Sequence, residues 1–226
     1  MDFSIQPVMF LLLFTYVFGG QMAGSPQEYL AFALPGIIAQ NLLFASLTTG
    51  VGLNTDISKG VFDRLRSLPI SRFSPLAGRI VADVIKQAWA LALLLGFGML
   101  LGFRITTGPL PVLGFFALLL GFAVSVSWVS VLLAMLVSEP ARVQIFGFVL
   151  IFPITFVSSA FVRTDSMPGW LRGFAGVNPT TLLADAGRGL LTGGPVAGPV
   201  TGALIWAAAL FAVFAPLSVQ AFRRRV

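Results

Sequence analysis

The side chains that could do chemistry in this sequence are few. Among 226 residues there are 14 Lys and Arg and eight Asp and Glu, and there is neither histidine nor cysteine. Histidine is the commonest general base and metal ligand, while cysteine supplies thiolate nucleophiles, thiolate metal sites and disulfides. The chain therefore lacks the side chains that most often perform acid–base and thiol chemistry. We expect no metal site and no catalytic residue in it.

The charged residues also disfavour two energy sources for this chain, namely its own nucleotide hydrolysis and ion coupling. A phosphate-binding P-loop requires a Gly-Lys-Ser/Thr sequence, and neither lysine here follows a glycine. Ion-coupled transporters carry buried charges in mid-membrane, whereas all eight acidic residues lie at the ends of apolar runs or between them. We expect no nucleotide or other cofactor on this chain, and proton or sodium coupling is disfavoured.

One stretch, residues 54–86, holds six of the 14 basic residues. Four apolar side chains recur there at steps of four, four and three, which places them on one helical face: Ile57, Val61, Leu65 and Leu68. Lys59, Asp63 and Arg66 fall on another face at pairing distance. Pro69 ends the pattern. The sequence predicts a short amphipathic helix that carries Arg64 as a further charge.

This amphipathic helix has two interpretations. Its apolar stripe could simply rest on the lipid interface, as such helices often do. Phe62, however, flanks the stripe and leaves an apolar side chain available to a protein partner. We favour the partner.

The elements around this loop are predicted to be membrane spans. Hydrophobic residues make up 57% of the chain, charged residues 10%, and the mean hydropathy is +0.95. A soluble domain carries roughly 25% charged residues, and a spanning helix needs about 20 apolar residues. We predict an all-α polytopic membrane protein, one transmembrane domain over residues 1–226, with six spans at residues 3–22, 29–53, 76–103, 110–137, 143–162 and 200–222.

The basic residues predict the orientation. If the loop at 54–86, the turn near Glu139 and the C-terminal arginines share one side, that side holds ten Lys and Arg against four on the other. The positive-inside rule then places this side, with both termini, in the cytoplasm. The four arginines expected outside are Arg104, Arg163, Arg172 and Arg188.

Residues 163–199 are too polar to span and too apolar for an ordinary loop. Trp170 is placed where an interfacial anchor would lie. Asn178 and Pro179 predict an N-cap and first helical residue, and Gly193-Gly194-Pro195 predicts the end of that helix. Asp185 and Arg188 are interpreted as a structural pair within it, not as a substrate ligand. We predict a short extracellular re-entrant or interfacial helical segment.

Two further patterns concern packing. Arg79, Asp83 and Lys86 share a face of the third span, and we interpret them as cytoplasmic anchors rather than an ion site. Glycines in the spans are expected to mark close helix packing instead of a substrate path: Gly50, Gly52, Gly96, Gly98 and Gly121.

Three stretches of the sequence resemble a known family. The stretch KGVFDRLRSLPISR at residues 59–72 is similar to the cytoplasmic coupling loop of ABC-2 type permeases, in particular the daunorubicin-resistance type drug-efflux permeases of actinobacteria. The motifs MPGWL at 167–171 and NPTT at 178–181, with Asp185 and Arg188, resemble the segment before the last helix of that family. The resemblance covers nearly the whole chain.

The resemblance implies a function and partners. It implies the membrane-spanning subunit of a bacterial ABC exporter in the plasma membrane, which moves a hydrophobic or amphipathic compound outward. Two copies of a separate ATPase would bind ATP and magnesium, and a second, identical permease chain would complete the dimer. The ATPase-coupling helix would comprise Ile57, Lys59, Val61, Phe62, Asp63, Arg64, Leu65, Arg66 and Leu68.

Two alternatives stay open at this stage. The chain could belong to an ABC-2 exporter of a lipid-linked polysaccharide, or it could be a non-transporting membrane anchor or assembly subunit. The sequence also departs from the family pattern, because such permeases usually begin with a basic amphipathic helix and this sequence starts almost directly in its first apolar run. Either the sequence starts late or that helix is dispensable.

Overall fold

The computed structural model describes residues 2–19, 25–61, 74–162, 164 and 167–225, and these residues form helices and connecting turns without a strand. Helix α1 (Asp2–Leu13) continues as a π-helix over Phe14–Phe18. The other helices are α2 (Pro26–Ser58), α3 (Ser74–Leu100), α4 (Pro109–Leu136), α5 (Pro140–Phe156), α6 (Gly169–Val177), α7 (Pro179–Thr192) and α8 (Ala197–Arg225).

Four of these helices, α2, α3, α4 and α8, are long and apolar enough to cross a membrane. The spans predicted at 76–103, 110–137 and 200–222 agree with α3, α4 and α8 to within about three residues at each end. The second predicted span, residues 29–53, lies within α2, which continues past Leu53 to Ser58. Two shorter apolar helices are Pro7–Val17, which runs from α1 into the π-helix, and Pro140–Phe156, which is α5.

Helix α5 covers only the first part of the predicted fifth span, residues 143–162. Helix α5 ends at Phe156, and residues 157–162 are not helical. Its 17 residues measure about 26 Å, which is less than the roughly 30 Å of the hydrocarbon core. Backbone carbonyls freed inside a membrane must find donors. Here the Asn178 side chain supplies them: its Nδ2 donates to the Ile154 carbonyl at 2.7 Å and to the Val157 carbonyl at 2.6 Å.

Helices α2 and α4 form the centre of the bundle. Residues 33–40 of α2 are all buried, which is more than two turns, so this part of the helix is covered on every side. A Cβ added at Gly50 would lie 2.4 Å from the Ser130 carbonyl oxygen of α4. The prediction that span glycines mark close packing is therefore confirmed at Gly50. At Gly96 and Gly121 an added Cβ meets nothing within 4 Å among the described residues, so the structure shows no close packing of this chain there.

The two ends of the bundle are built differently. At the end holding the C-terminus of α2, Asn54 Nδ2 donates to the Ala134 carbonyl at 2.8 Å and to the Val137 carbonyl at 2.7 Å, which ties α2 to the end of α4. We call this the inner end. At the outer end, the turn after α3 meets the end of α7, with Thr106 N donating to the Leu191 carbonyl at 3.0 Å.

The segment between α5 and α8 is a helical hairpin of α6 and α7, and it enters the bundle. Trp206 Nε1 donates to the Val177 carbonyl at 2.9 Å. Because Trp206 lies nine residues after the first residue of α8, the α6–α7 junction sits about 14 Å along that helix. Helix α7 is largely buried against α2, α4 and α8. Within the described part of this segment, α7 is therefore packed inside the bundle, whereas α6 keeps an exposed apolar face.

Candidate functional site

The predicted coupling helix begins differently from its sequence pattern. Ile57 belongs to the last turn of α2, Lys59 caps that helix, and Gly60 has φ +68°. A glycine in the left-handed region interrupts the helix, so Ile57 and Val61 do not share one continuous helical face, and this part of the stripe is wrong. Val61 is exposed and helical. The other members of the predicted helix lie outside the described residues: Phe62, Asp63, Arg64, Leu65, Arg66 and Leu68.

The inner end of α3 carries a network of ion pairs. Lys86 Nζ lies 3.1 Å from Asp83 Oδ1, and Arg79 Nε lies 3.8 Å from Asp83 Oδ2, which confirms the predicted pairing along one face. Arg79 also pairs with Asp56 in the last turns of α2. The sequence did not predict this contact. Gly52 makes it possible, because the Arg79 guanidinium occupies the space that a Cβ at Gly52 would fill.

A cavity of about 690 Å³ opens from this network along α1, α2, α3 and α5. Along α2 its lining runs from Ile37 to Gly52, about 22 Å of helix. Its inner end is lined by Arg79, Asp83, Lys86 and Gln87 of α3, and much of its wall by aromatic rings. Drug-sized ligands occupy cavities of roughly 300–1,000 Å³, so one such molecule fits.

Two residues that line this cavity carry buried polar atoms that make no hydrogen bond among the described residues. Gln87 is 5% exposed, and neither its Oε1 nor its Nε2 makes a hydrogen bond. Asp83 is 7% exposed, and its Oδ2 also makes none. Buried polar groups in native proteins are nearly always hydrogen-bonded, so such exceptions need a physical account.

The outer cluster consists of Arg188, Asp185, Ser159 and Phe32, and here the donors are used. Arg188 lies 2.5 Å from Asp185 Oδ1, and its Nε donates to the Phe32 carbonyl at 2.9 Å. Its Nη1 and Nη2 donate to Ser159 Oγ at 3.1 Å and to the Ser159 carbonyl at 2.7 Å. The guanidinium also lies 3.8 Å from the centroid of the Phe32 ring.

The outer cluster fits the structural interpretation of the Asp185–Arg188 pair. One arginine on α7 holds both the N-terminal part of α2 and the non-helical segment after α5. Asn178 lies at the start of the same helix. Its Oδ1 accepts from Thr180 N at 2.9 Å, as expected of the predicted N-cap. Its Nδ2 meanwhile caps the end of α5.

Comparison with known proteins identifies the chain. Residues 4–192 match the family model described as ABC-2 type transporter. The chain belongs to the ABC-2 type transporter family. This permease is 42% identical over 224 residues to the daunorubicin resistance ABC transporter permease protein DrrB1 of Streptomyces coeruleorubidus, a match that covers 99% of this chain and 79% of that protein.

Two further relatives of this chain are also named as permeases. The permease is 28% identical over 218 residues to the probable doxorubicin resistance ABC transporter permease protein DrrC of Mycobacterium tuberculosis, covering 95% of this chain and 78% of the relative. It is 30% identical over 183 residues to the putative transport permease ycf38 of Cyanophora paradoxa, a match that covers 78% of this chain and 62% of that protein. This ABC-2 permease is thus the multi-pass membrane subunit of an ABC transporter, and membership implies an ABC ATPase as its partner.

The remaining predicted site residue of the permease, Trp170, lies on α6 with 78% of its surface exposed. Its role as an interfacial anchor stays a prediction. Sequence reasoning missed the cavity, because its lining comes from four helices that are distant in sequence. One signal was available, since Gln87 is a polar residue within an apolar helix and follows Asp83 by four positions.

Proposed function

We propose that this permease exports a hydrophobic or amphipathic compound of the drug, antibiotic or lipid-like class, using ATP hydrolysed by a separate subunit. The observation that carries the proposal is the near full-length match to a permease named for daunorubicin resistance. The cavity supports it, because its volume suits a drug-sized molecule and its wall combines apolar and polar surface.

The proposed topology has six spans in one transmembrane domain, with both termini in the cytoplasm of a bacterium. Helices α1 and α5 would serve as the two short spans, and α5 would be completed by residues 157–162 under the Asn178 cap. The inner end of the bundle then faces the cytoplasm. Because the sequence has no cysteine, single introduced cysteines report their side without background. We expect labelling from inside at Lys59→Cys and from outside at Arg104→Cys, and the reverse pattern would overturn the topology.

The proposed energy source is a pair of ABC ATPases that hold ATP and magnesium, acting on two identical permease chains. The contact would be the segment after α2, from Lys59 to Leu68. Gly60 supports this reading, because its left-handed backbone turns the chain out of α2 at the point where the segment begins. Closure of the ATPases would move this segment and tilt α2 and α3, which are tied together at their inner ends by Arg79 and Asp56.

The coupling proposal is tested on Phe62 and Leu65. Truncating a buried aromatic anchor at an interface costs about 2 kcal/mol or more, roughly thirtyfold in affinity. Phe62→Ala should therefore reduce co-purification of the ATPase at unchanged permease level, whereas a helix that rests on lipid should tolerate the change. Unchanged co-purification and unchanged efflux for Phe62→Ala and Leu65→Ala together would defeat the proposal.

The transport proposal is tested by reconstitution. The permease and the ATPase from the same genome, placed in liposomes, should move daunorubicin only in the presence of hydrolysable ATP. Transport of a lipid-linked polysaccharide instead would reassign the substrate. A permease that transports as a monomer without ATP would contradict the proposed partners.

A further inference from the structure

Arg79 connects the inner ends of α2 and α3 by an ion pair. Its Nη1 donates to Asp56, which lies in the last turn of α2, two residues before that helix ends at Ser58. The proposed contact with the ATPase begins at Lys59, less than one helical turn after Asp56. A movement of the contact segment therefore reaches the Asp56–Arg79 pair almost directly.

The Arg79 guanidinium has a second carboxylate within reach, on its own helix. Its Nε lies 3.8 Å from Asp83 Oδ2. Both atoms are buried, and neither makes a hydrogen bond among the described residues. The separation is too long for a hydrogen bond between nitrogen and oxygen, which needs about 3.2 Å or less. An unpaired donor thus lies beside an unpaired acceptor, and a small movement of the Arg79 side chain toward Asp83 would pair them.

Neither position of Arg79 satisfies every charged group. While Arg79 pairs with Asp56, its Nε and Asp83 Oδ2 stay buried without partners, which is unfavourable. If Arg79 moved to Asp83, those two atoms would be paired and Asp56 would lose its cation. The Asp56 side chain is 37% exposed, so water can solvate it, whereas that of Asp83 is 9% exposed. The free energies of the two positions should therefore be similar, and a modest force changes their populations.

The other contact of α2 at the inner end cannot be exchanged in this way. Asn54 is fully buried, and its Nδ2 donates to the Ala134 and Val137 carbonyls at the end of α4. Both acceptors are backbone atoms, which cannot rotate to another partner, so α2 and α4 stay together here. The link between α2 and α3 is made instead by the end of a long, flexible side chain.

We propose that Arg79 is a positioning residue that couples ATP hydrolysis to the movement of α3. In the state that this structure describes, it ties α3 to Asp56 of α2. When the ATPase moves the segment after Ser58, the guanidinium transfers to Asp83, and the inner ends of α2 and α3 separate. The inference rests on the ATPase contact proposed above. It adds which contact is broken during the cycle and which contact replaces it.

The test follows the distance between the two helices in the purified permease–ATPase complex. Ser58 and Ala77 are exposed near the inner ends of α2 and α3, and the sequence has no cysteine, so spin labels at Ser58→Cys and Ala77→Cys report this distance. We expect mainly a shorter distance without nucleotide and a longer one when ATP is trapped with vanadate.

Removing either carboxylate should shift the two populations in opposite directions. Asp56→Asn weakens the first position and should raise the ratio of longer to shorter distances without nucleotide, roughly two- to fivefold. Asp83→Asn weakens the second position and should lower that ratio by a similar factor with trapped ATP. Glu139→Gln is the control, because its pair with Arg142 is exposed and lies within α5 and its cap, so both ratios should stay unchanged.

Gly52 allows the same test without a change of charge. The Arg79 guanidinium occupies the space that a Cβ at Gly52 would fill, so Gly52→Ala displaces it from Asp56 and should act like Asp56→Asn. Gly78→Ala on α3 is the matched control, since an added Cβ there meets nothing within 4 Å among the described residues. Asp56→Arg combined with Arg79→Asp restores a pair between the helices, but the new carboxylate cannot pair with Asp83. This variant should keep the shorter distance even with trapped ATP.

A tie that only stabilises the fold would give a different pattern. Asp56→Asn and Asp83→Asn would then shift the ratio in the same direction, and the charge-swapped variant would recover the response to ATP. Either result overturns the inference. ATP-driven export of daunorubicin by a complex whose distances never change would overturn this inference alone. Distances that respond to ATP and to the variants as expected, in a complex that exports nothing, would overturn the proposed export function and leave the inference standing.

Discussion

The outer cluster and the inner end of α3 both hold polar side chains that are partly or fully buried, but they differ in how many of the buried polar atoms make hydrogen bonds. At the outer cluster, Arg188 uses Nε, Nη1 and Nη2 to donate to Phe32 of α2 and to Ser159 in the segment after α5. At the inner end, Gln87 is almost as inaccessible as any core residue, yet its amide makes no hydrogen bond among the described residues. The polar groups of the first region are hydrogen-bonded within the chain, whereas the second region lies beside a cavity and leaves the Gln87 amide without a hydrogen bond among the described residues.

This difference indicates that the outer cluster contributes to stability, whereas the unpaired polar atoms of α3 do not. A satisfied buried network fixes the relative positions of helices, and its loss leaves charges and carbonyls unpaired. Polar groups that are buried without partners destabilise the protein by themselves, and natural proteins retain such groups mainly where a function needs them. Substitutions in the two regions should therefore change stability in opposite directions, and the predictions below follow that contrast from the largest expected effect to the smallest.

The largest effect is expected at Arg188. Arg188→Leu removes the hydrogen bonds to the Phe32 carbonyl and to Ser159, which should destabilise the protein by about 3 kcal/mol. The midpoint of thermal unfolding in detergent measures it. Arg142→Ala is the control, because its pair with Glu139 is exposed and should contribute about 0.5 kcal/mol or less. Equal midpoints for the two variants would show that the outer cluster does not hold the bundle.

Two substitutions of Asn178 should lower the stability of the protein by different amounts. Asn178→Ala removes the N-cap of α7 and both donors to the end of α5, and we expect a loss of about 2 kcal/mol. Asn178→Asp keeps the N-cap acceptor and loses the donors, so it should retain part of the stability. If the aspartate variant is as stable as the parent, the cap on α5 contributes nothing, and the explanation for the early end of that helix fails.

Gly50 tests the close contact of α2 with α4. Gly50→Ala places a Cβ 2.4 Å from the Ser130 carbonyl oxygen, which is backbone and cannot rotate away, so a loss of about 1–2 kcal/mol is expected. Gly121→Ala on α4 meets nothing within 4 Å and should be neutral or slightly stabilising. The comparison of the two unfolding midpoints is independent of either polar region. A neutral Gly50→Ala would mean that the two helices are free to separate.

The smallest effect is expected at Gln87, and it has the opposite sign. In the absence of ligand, Gln87→Leu removes two unpaired buried polar atoms and should leave stability unchanged or raise it by about 1 kcal/mol. The same thermal assay as for Arg188 measures it, with daunorubicin omitted. A marked loss of stability would show that Gln87 serves the fold, and the contrast between the two regions would disappear.

Much of the fold was accessible from the sequence because a membrane imposes strong rules on composition. Apolar runs of about 20 residues predicted α2, α3, α4 and α8, and Asn178-Pro179 with Gly193-Gly194 predicted both ends of α7. Pairing at three- and four-residue spacing predicted the contacts of Asp83 and of Asp185. All of these are local signals, in which neighbours along the chain are also neighbours in space.

Tertiary structure decided the rest. The end of α5 at Phe156 depends on an amide 22 residues later in the chain, because a carbonyl inside the bundle needs a donor and only folding brings Asn178 to it. The same holds for Arg79, whose partner Asp56 lies on another helix and is reached across Gly52. The cavity is the clearest case. A helical pattern records which face is apolar, but whether that face meets a helix, lipid or empty space is determined only when α1, α2, α3 and α5 come together.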